Sequence, residues 1–148
     1  MPISVKIILF TIMLFSLSAA ASAAETFTLT VKVSGLRNSK GALVFTLYNK
    51  AGSIPDEHFK HFYKQKSVQV NDNSAVIIFK NLPKGAYAVN ILHDENKNGK
   101  IDKGFIFPVE GIGFSNYKDI GLSNRPNFKN ASFPLDKDKE ITVKVIYF

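Results

Sequence analysis

Between His93 and Asp102 the chain reads His-Asp-Glu-Asn-Lys-Asn-Gly-Lys-Ile-Asp, with oxygen-bearing side chains at alternate positions around one glycine. A loop of this composition can turn several oxygens inward on a hard cation, and Ca²⁺ takes about six to eight of them. With Asp94 as the first position of a calcium loop, Asn96 stands at the third, Asn98 at the fifth and Gly99 at the sixth. Lys100 then offers its carbonyl at the seventh and Asp102 its carboxylate at the ninth,. The pattern departs at the twelfth, where Phe105 replaces the expected bidentate Glu, and Glu110 is the next acid downstream able to fold back. The expected donor set is therefore Asp94, Asn96, Asn98, Asp102 and Glu110 through side chains, with Lys100 through its carbonyl. Lys97, Lys100 and Lys103 weaken the local negative potential, so any Ca²⁺ affinity belongs near the weak end, about 10⁻⁴ to 10⁻³ M. The competing reading is a long polar hairpin loop in which Asn98-Gly99 supplies the tight turn and the Asp and Asn side chains bond nearby backbone.

Other constellations are thinner. His58 and His61, three apart and beside Asp56 and Glu57, have a spacing open to Zn²⁺ or Cu²⁺ if that segment is helical. His93 with Asp94 or Glu110, around Ser115, would be the centre of a hydrolase-type enzyme. Ser115 lies in Gly113-Phe114-Ser115-Asn116-Tyr117, which lacks the second glycine of a nucleophile elbow. An exposed patch of Tyr48, Phe62, Tyr63, Phe114 and Tyr117 would suit a carrier or adhesion module for a glycan or apolar ligand. No phosphate loop, zinc-protease motif or dinucleotide fingerprint is present, so no catalytic residue is assigned. The sequence favours a non-enzymatic binding or structural module.

The elements that must position these residues are strands. Phe27, Leu29, Val31 and Val33 alternate with Thr26, Thr28, Thr30 and Lys32, the period-2 signature of a half-buried strand. Gly35 to Gly41 turns the chain, and Ala42 to Tyr48 returns. Lys66 to Val70 and Ser74 to Lys80 read as a hairpin about Asn71-Asp72-Asn73, since Asn and Asp tolerate turn geometry. Ala86 to Leu92 runs into the acidic loop, Ile141 to Tyr147 closes the chain, and short strands are expected near 105–107 and 131–135. Only Pro55 to Gln65 carries helix start and stop signals, and it is read as one short helix or an irregular loop. These elements predict an all-β fold: an antiparallel β-sandwich of about seven strands, immunoglobulin-like or prealbumin-like, with at most one short helix.

The first 23 residues read as a secretory signal peptide. Lys6 precedes the apolar run Ile7 to Leu17, and Ala21-Ser22-Ala23 fits the small-residue cleavage rule, with the cut after Ala23 or Ala24,. An apolar run of roughly 11 residues falls short of the ~20 that span a bilayer. No cysteine follows it, which argues against a lipid anchor, and the whole chain has none. Residues 24–148 are expected to form one periplasmic or secreted domain without disulfides, stabilised by packing, with no transmembrane segment after cleavage. Removing Lys6 from the 19 basic residues leaves 18 against 12 acidic ones, a net charge of +6. The lysines are scattered rather than blocked together, so a solvated basic surface is expected and nucleic acid is not, though an anionic cell-envelope partner is compatible.

Taken together, Gly35-Leu36-Arg37-Asn38, Lys40-Gly41, Leu47-Tyr48-Asn49, Leu82-Pro83-Lys84-Gly85-Ala86-Tyr87-Ala88, His93-Asp94-Glu95-Asn96, Asn98-Gly99-Lys100-Ile101-Asp102, Pro108-Val109-Glu110-Gly111, Gly113-Phe114-Ser115-Asn116, Pro126-Asn127-Phe128 and Ala131-Ser132-Phe133 resemble the bacterial domain-of-unknown-function 2141 family of small exported proteins. The resemblance covers essentially the whole chain after the signal. It implies that His93, Asp94, Asn96, Asn98, Asp102, Glu110 and the turn from Gly113 to Asn116 form one surface at the end of the sandwich. It implies no activity.

Overall fold

The computed structural model describes residues 24–148, and the segment read as an export signal, residues 1–23, lies outside them. In chain order the elements are β1 (Thr26–Ser34), β2 (Ala42–Tyr48), β3 (Lys64–Gln69), β4 (Val76–Pro83), β5 (Gly85–Asp94), β6 (Gly111–Phe114), α1 (Phe128–Ala131), β7 (Phe133–Leu135) and β8 (Lys139–Lys144). One sheet has the order β4-β1-β8 and the other β3-β2-β5-β6, with β7 on the first residues of β5. No helix among the described residues is long and apolar enough to cross a membrane.

Alternation explains the first sheet. β1 buries Leu29, Val31 and Val33 and leaves Lys32 and Ser34 exposed, because successive strand side chains point to opposite faces,. Phe79 of β4 and Val143 of β8 complete that layer, and Leu43, Phe45, Leu47, Val89 and Ile91 of β2 and β5 meet it from the other sheet. β2 is buried at every residue because its second face is covered too. There Val44, Tyr48, Ala88, Leu92, Ile112 and Phe114 lie with the loop residues Ile54 and Tyr117 and with Ala131 of α1. The molecule thus has a central core and a second apolar layer on the outer face of the larger sheet.

The sandwich agrees with the sequence, and several details differ. β3 and β4 do not form a hairpin: β3 pairs with β2, and β4 pairs with β1 in the opposite sheet. Asp72 and Asn73 do adopt the left-handed turn geometry, at φ 48° and 53°, but the turn carries the chain from one sheet to the other. One pairing is parallel, that of β1 with β8. Segment 55–65 is irregular and the short helix lies instead at Phe128–Ala131, capped by Asn127, whose side chain accepts from the Asn130 N–H,. Residues 105–107 form no strand, only a loop beside the isolated bridge from Lys103 to Pro108. Gly111 to Phe114, part of which was expected to be a turn, is β6. Its glycines permit a close crossing: a β-carbon on Gly113 would stand 2.4 Å from the Lys144 carbonyl oxygen.

Candidate functional site

β5 ends at Asp94, opposite Ala42 at the start of β2. The carboxylate of Asp94 caps the loop that follows, Oδ1 accepting from the Asn98 N–H at 3.0 Å and Oδ2 from the Gly99 N–H at 2.7 Å. Two further side-chain turns continue the curl. Asn96 Oδ1 accepts from the Asn98 N–H at 3.0 Å, and Asn98 Oδ1 from the Lys100 N–H at 2.8 Å. Asp102 closes the ring, accepting the Asn96 amide at 2.6 Å and the Asn98 amide at 2.9 Å on each oxygen. The loop therefore turns Asp94, Asn96, Asn98 and Asp102 toward one another, as the alternate spacing predicts. Apart from Asp102 Oδ2, which accepts from both amides, each of these acceptor oxygens keeps a second lone pair,.

Glu110, the acid expected to stand in for the twelfth position, reaches the loop from further along the chain. Gly104 N–H donates to Phe107 O at 2.8 Å and Val109 N–H to Asp102 O at 2.9 Å, a short excursion that returns Glu110 to the loop. Glu110 is only 4% exposed. Its Oε1 accepts from the Glu95 N–H at 3.0 Å. Its Oε2 is buried with no hydrogen-bond partner, alone in this among the buried side-chain oxygens and nitrogens of the described residues. Burial raises the Glu110 carboxyl above its ordinary value, and the charges of Asp102 and Asp94 raise it further. The backbone amides of Asp102 and Glu95 act the other way and are outweighed,. No three acidic or histidine side chains among the described residues are gathered tightly enough to hold a metal outright. In this loop the Asn96 and Asn98 amides stand between the carboxylates.

Glu95, which the spacing leaves outside the donor set, anchors the loop instead. Arg37 reaches it through Nε at 3.2 Å and through Nη2, and Asn38 donates to it at 2.6 Å. The Arg37 hydrogen bond and then that of Asn38 hold the Glu95 carboxyl below its usual range despite burial. Arg37 also lies 4.4 Å over the Tyr147 ring,. Gly41 completes the anchor at φ +72°, where a β-carbon would stand 2.0 Å from the Asp94 carbonyl oxygen,. These positions were missed as site residues because their partners are distant in sequence. Only the quoted Arg37-Asn38 and Lys40-Gly41 motifs hinted at them.

The other candidates are dispersed. His93 is fully buried, its Nε2–H donating to the Lys40 carbonyl at 2.8 Å and its Nδ1 accepting from the Tyr147 hydroxyl at 2.5 Å. Both ring nitrogens are thus engaged in packing the loop. Ser115 accepts the Val89 N–H at 2.9 Å and donates to the Ala131 carbonyl at 2.6 Å. Val89 lies four residues along β5 from His93, about 13 Å at strand rise, so the hydrolase constellation is not assembled. His61 contacts Asp56, and His58 is exposed on an irregular segment rather than sharing a helical face with it. Asp56 instead organises that segment, accepting from the backbone N–H of Lys60 at 2.9 Å and of His61 at 2.8 Å and from the Tyr48 hydroxyl at 3.3 Å. Burial alone would raise its carboxyl, but these hydrogen bonds outweigh it and the net direction is down. Tyr48, Phe114 and Tyr117 are buried, while Phe62 and Tyr63 are partly exposed, so the five aromatics form no surface patch.

A family model described as an uncharacterised protein conserved in bacteria (DUF2141) matches residues 31–144, and the chain belongs to that family. No curated protein and no solved structure matches the chain.

Proposed function

We propose that this family member is an exported, non-enzymatic β-sandwich module whose acidic loop takes one Ca²⁺, which braces the loop as a structural or binding surface. The donors are the side chains of Asp94, Asn96, Asn98, Asp102 and Glu110 and the carbonyl of Lys100. The observation that carries this reading is Glu110 Oε2, a buried carboxylate oxygen with no donor, close enough to Asp94 and Asp102 to feel their charge. An unpaired buried charge beside like charges is costly, and a divalent cation removes all three penalties at once. Turning over the Asn96 and Asn98 amides brings oxygen in place of NH₂ toward Asp102, at the cost of the bonds that their Oδ1 atoms now accept from the Asn98 and Lys100 N–H groups,. Export rests on the N-terminal pattern, in keeping with a bacterial family,.

Calorimetric titration of Ca²⁺ into the purified protein tests the site. One saturable site is expected, with Kd of about 0.1–1 mM, abolished by Asp94→Ala with Asp102→Ala. Absence of Ca²⁺-dependent heat at about 10 mM, ten times the weakest expected Kd, overturns the proposal.

A further inference from the structure

The outer face of the larger sheet holds a cavity of about 350 Å³ that plays no part in the ion loop's donor set. Its floor is the sheet itself, with Ile112 and Phe114 of β6 beside Asn90 of β5. Its walls come from three loops, the segment after the ion loop, the 49–63 loop and the stretch from Ile120 to Pro126. The lining is mainly apolar, as in small-molecule sites,. At about 30 Å³ per water-sized atom the volume holds about a dozen non-hydrogen atoms.

Two polar features bear on the class of molecule that the cavity suits. Asn90 is buried, lines the cavity and donates its amide to the Gly113 carbonyl at 3.1 Å, while its carbonyl oxygen accepts from no described residue. An occupant that covers this acceptor without offering a donor strands it. At the mouth, Arg125 is exposed and its guanidinium forms no ion pair or hydrogen bond with any described residue. The neighbouring cation, Lys103, is by contrast already joined to Glu57, a bond that ties two of the walls together. Large apolar side chains also stand exposed around the opening, Ile106 at 64% and Leu122 at 63%, whereas isolated surface apolar residues do not usually gather at one cavity mouth.

We propose that this cavity binds a small apolar carboxylic acid that carries a hydroxyl at its far end, the hydroxyl donating to Asn90 and the carboxylate meeting Arg125. The molecule's net positive charge also favours an anionic ligand,. The site does not depend on the cation. Gly121 lines the cavity outside the left-handed region, and a β-carbon there would meet no atom within 4 Å, so Gly121→Phe adds a ring at the cavity wall without a clash at its base.

The probe is 3-(4-hydroxyphenyl)propionate, of about the required size, titrated calorimetrically into the purified protein in Ca²⁺-free buffer. One saturable site is expected. Affinity should fall about fivefold to tenfold for 3-phenylpropionate, which lacks the hydroxyl, the effect of one neutral hydrogen bond. It should fall at least as much with Arg125→Gln, and with 4-hydroxyphenethylamine in place of the acid. Gly121→Phe should abolish binding while leaving the melting temperature of the protein unchanged. No saturable heat at about 1 mM probe overturns the proposal, that being the weak edge of specific small-ligand affinity. Undiminished binding by a folded Gly121→Phe protein, or equal binding of the acid and the amine, overturns it as well.

Discussion

Glu110→Gln separates a cation site from a polar turn. Gln keeps an oxygen that can accept from the Glu95 N–H, now made at 3.0 Å, and puts an uncharged NH₂ in place of the oxygen that has no partner. A carboxyl raised above its ordinary 4.5 binds its proton more tightly folded than unfolded. Its contribution favours the fold below about pH 4.5 and is lost as pH rises through the raised value, so at about pH 7 without Ca²⁺ the ionised group is a cost. The variant should then melt at or above the wild-type temperature in chelator. With about 10 mM Ca²⁺ and Kd of about 0.1–1 mM, the wild-type protein gains about 1.4–2.7 kcal/mol. At about 4 °C per kcal/mol for a domain of this size, that is about 6–11 °C. The variant should gain less than about a third of this, since it keeps only the weaker donors. Melting curves by circular dichroism, with and without Ca²⁺ and with Mg²⁺ as control, read both quantities. An equal Ca²⁺ response in the two proteins refutes the reasoning. So does a variant destabilised by about 3 kcal/mol in chelator, because that loss means the carboxylate was already satisfied.

Gly41→Ala should destabilise the protein by about 3 kcal/mol or more, measured by denaturant unfolding, since it combines a left-handed backbone with a contact 2.0 Å from Asp94 O,. A loss under about 1 kcal/mol would show that the loop moves freely away from β2. Asp56→Ala removes the acceptor for three donors and should cost about 2–4 kcal/mol at neutral pH,. Because the folded Asp56 carboxyl lies below its ordinary 3.8, the stability it brings is present above that value and lost as pH falls through the lower folded one,. The variant's unfolding free energy should accordingly fall less steeply than wild type on acidification below about pH 4, and an identical acid limb contradicts this.

How far the sequence foretells the structure depends on how local each signal is. β1 is legible because its alternation is set by residues two apart, and the same holds for the ring of Asp94, Asn96, Asn98 and Asp102. The fate of β3 and β4 is not local. The Asn71-Asp72-Asn73 turn is formed as expected, yet β3 finds β2 while β4 finds β1, a choice made by which faces meet the core. β6 was obscured because its glycines, which resemble a turn, serve close packing against Tyr147, Val145 and Lys144. Glu110 is expected in the donor set only as the nearest acid downstream. Its burial and its unpartnered oxygen depend on the excursion from Lys103 to Pro108, which no spacing encodes. His93 and Ser115 illustrate the opposite error, since residue types suited to catalysis are consumed here by hydrogen bonds that hold loops to the sheet. The cavity beneath Arg125 was invisible for a related reason. Its walls come from three loops far apart in sequence.

The most direct measurement is a crystal structure of the protein grown in about 10 mM Ca²⁺, well above the expected Kd. The account predicts one ion with Glu110 Oε2, the oxygens of Asp94, Asn96, Asn98 and Asp102 and the Lys100 carbonyl at about 2.3–2.6 Å. Asn96 and Asn98 should present oxygen where their amide nitrogens now meet Asp102. A structure in which Glu110 Oε2 is instead met by a proton donor, with Asn96 and Asn98 still donating to Asp102 and no ion among them, contradicts it.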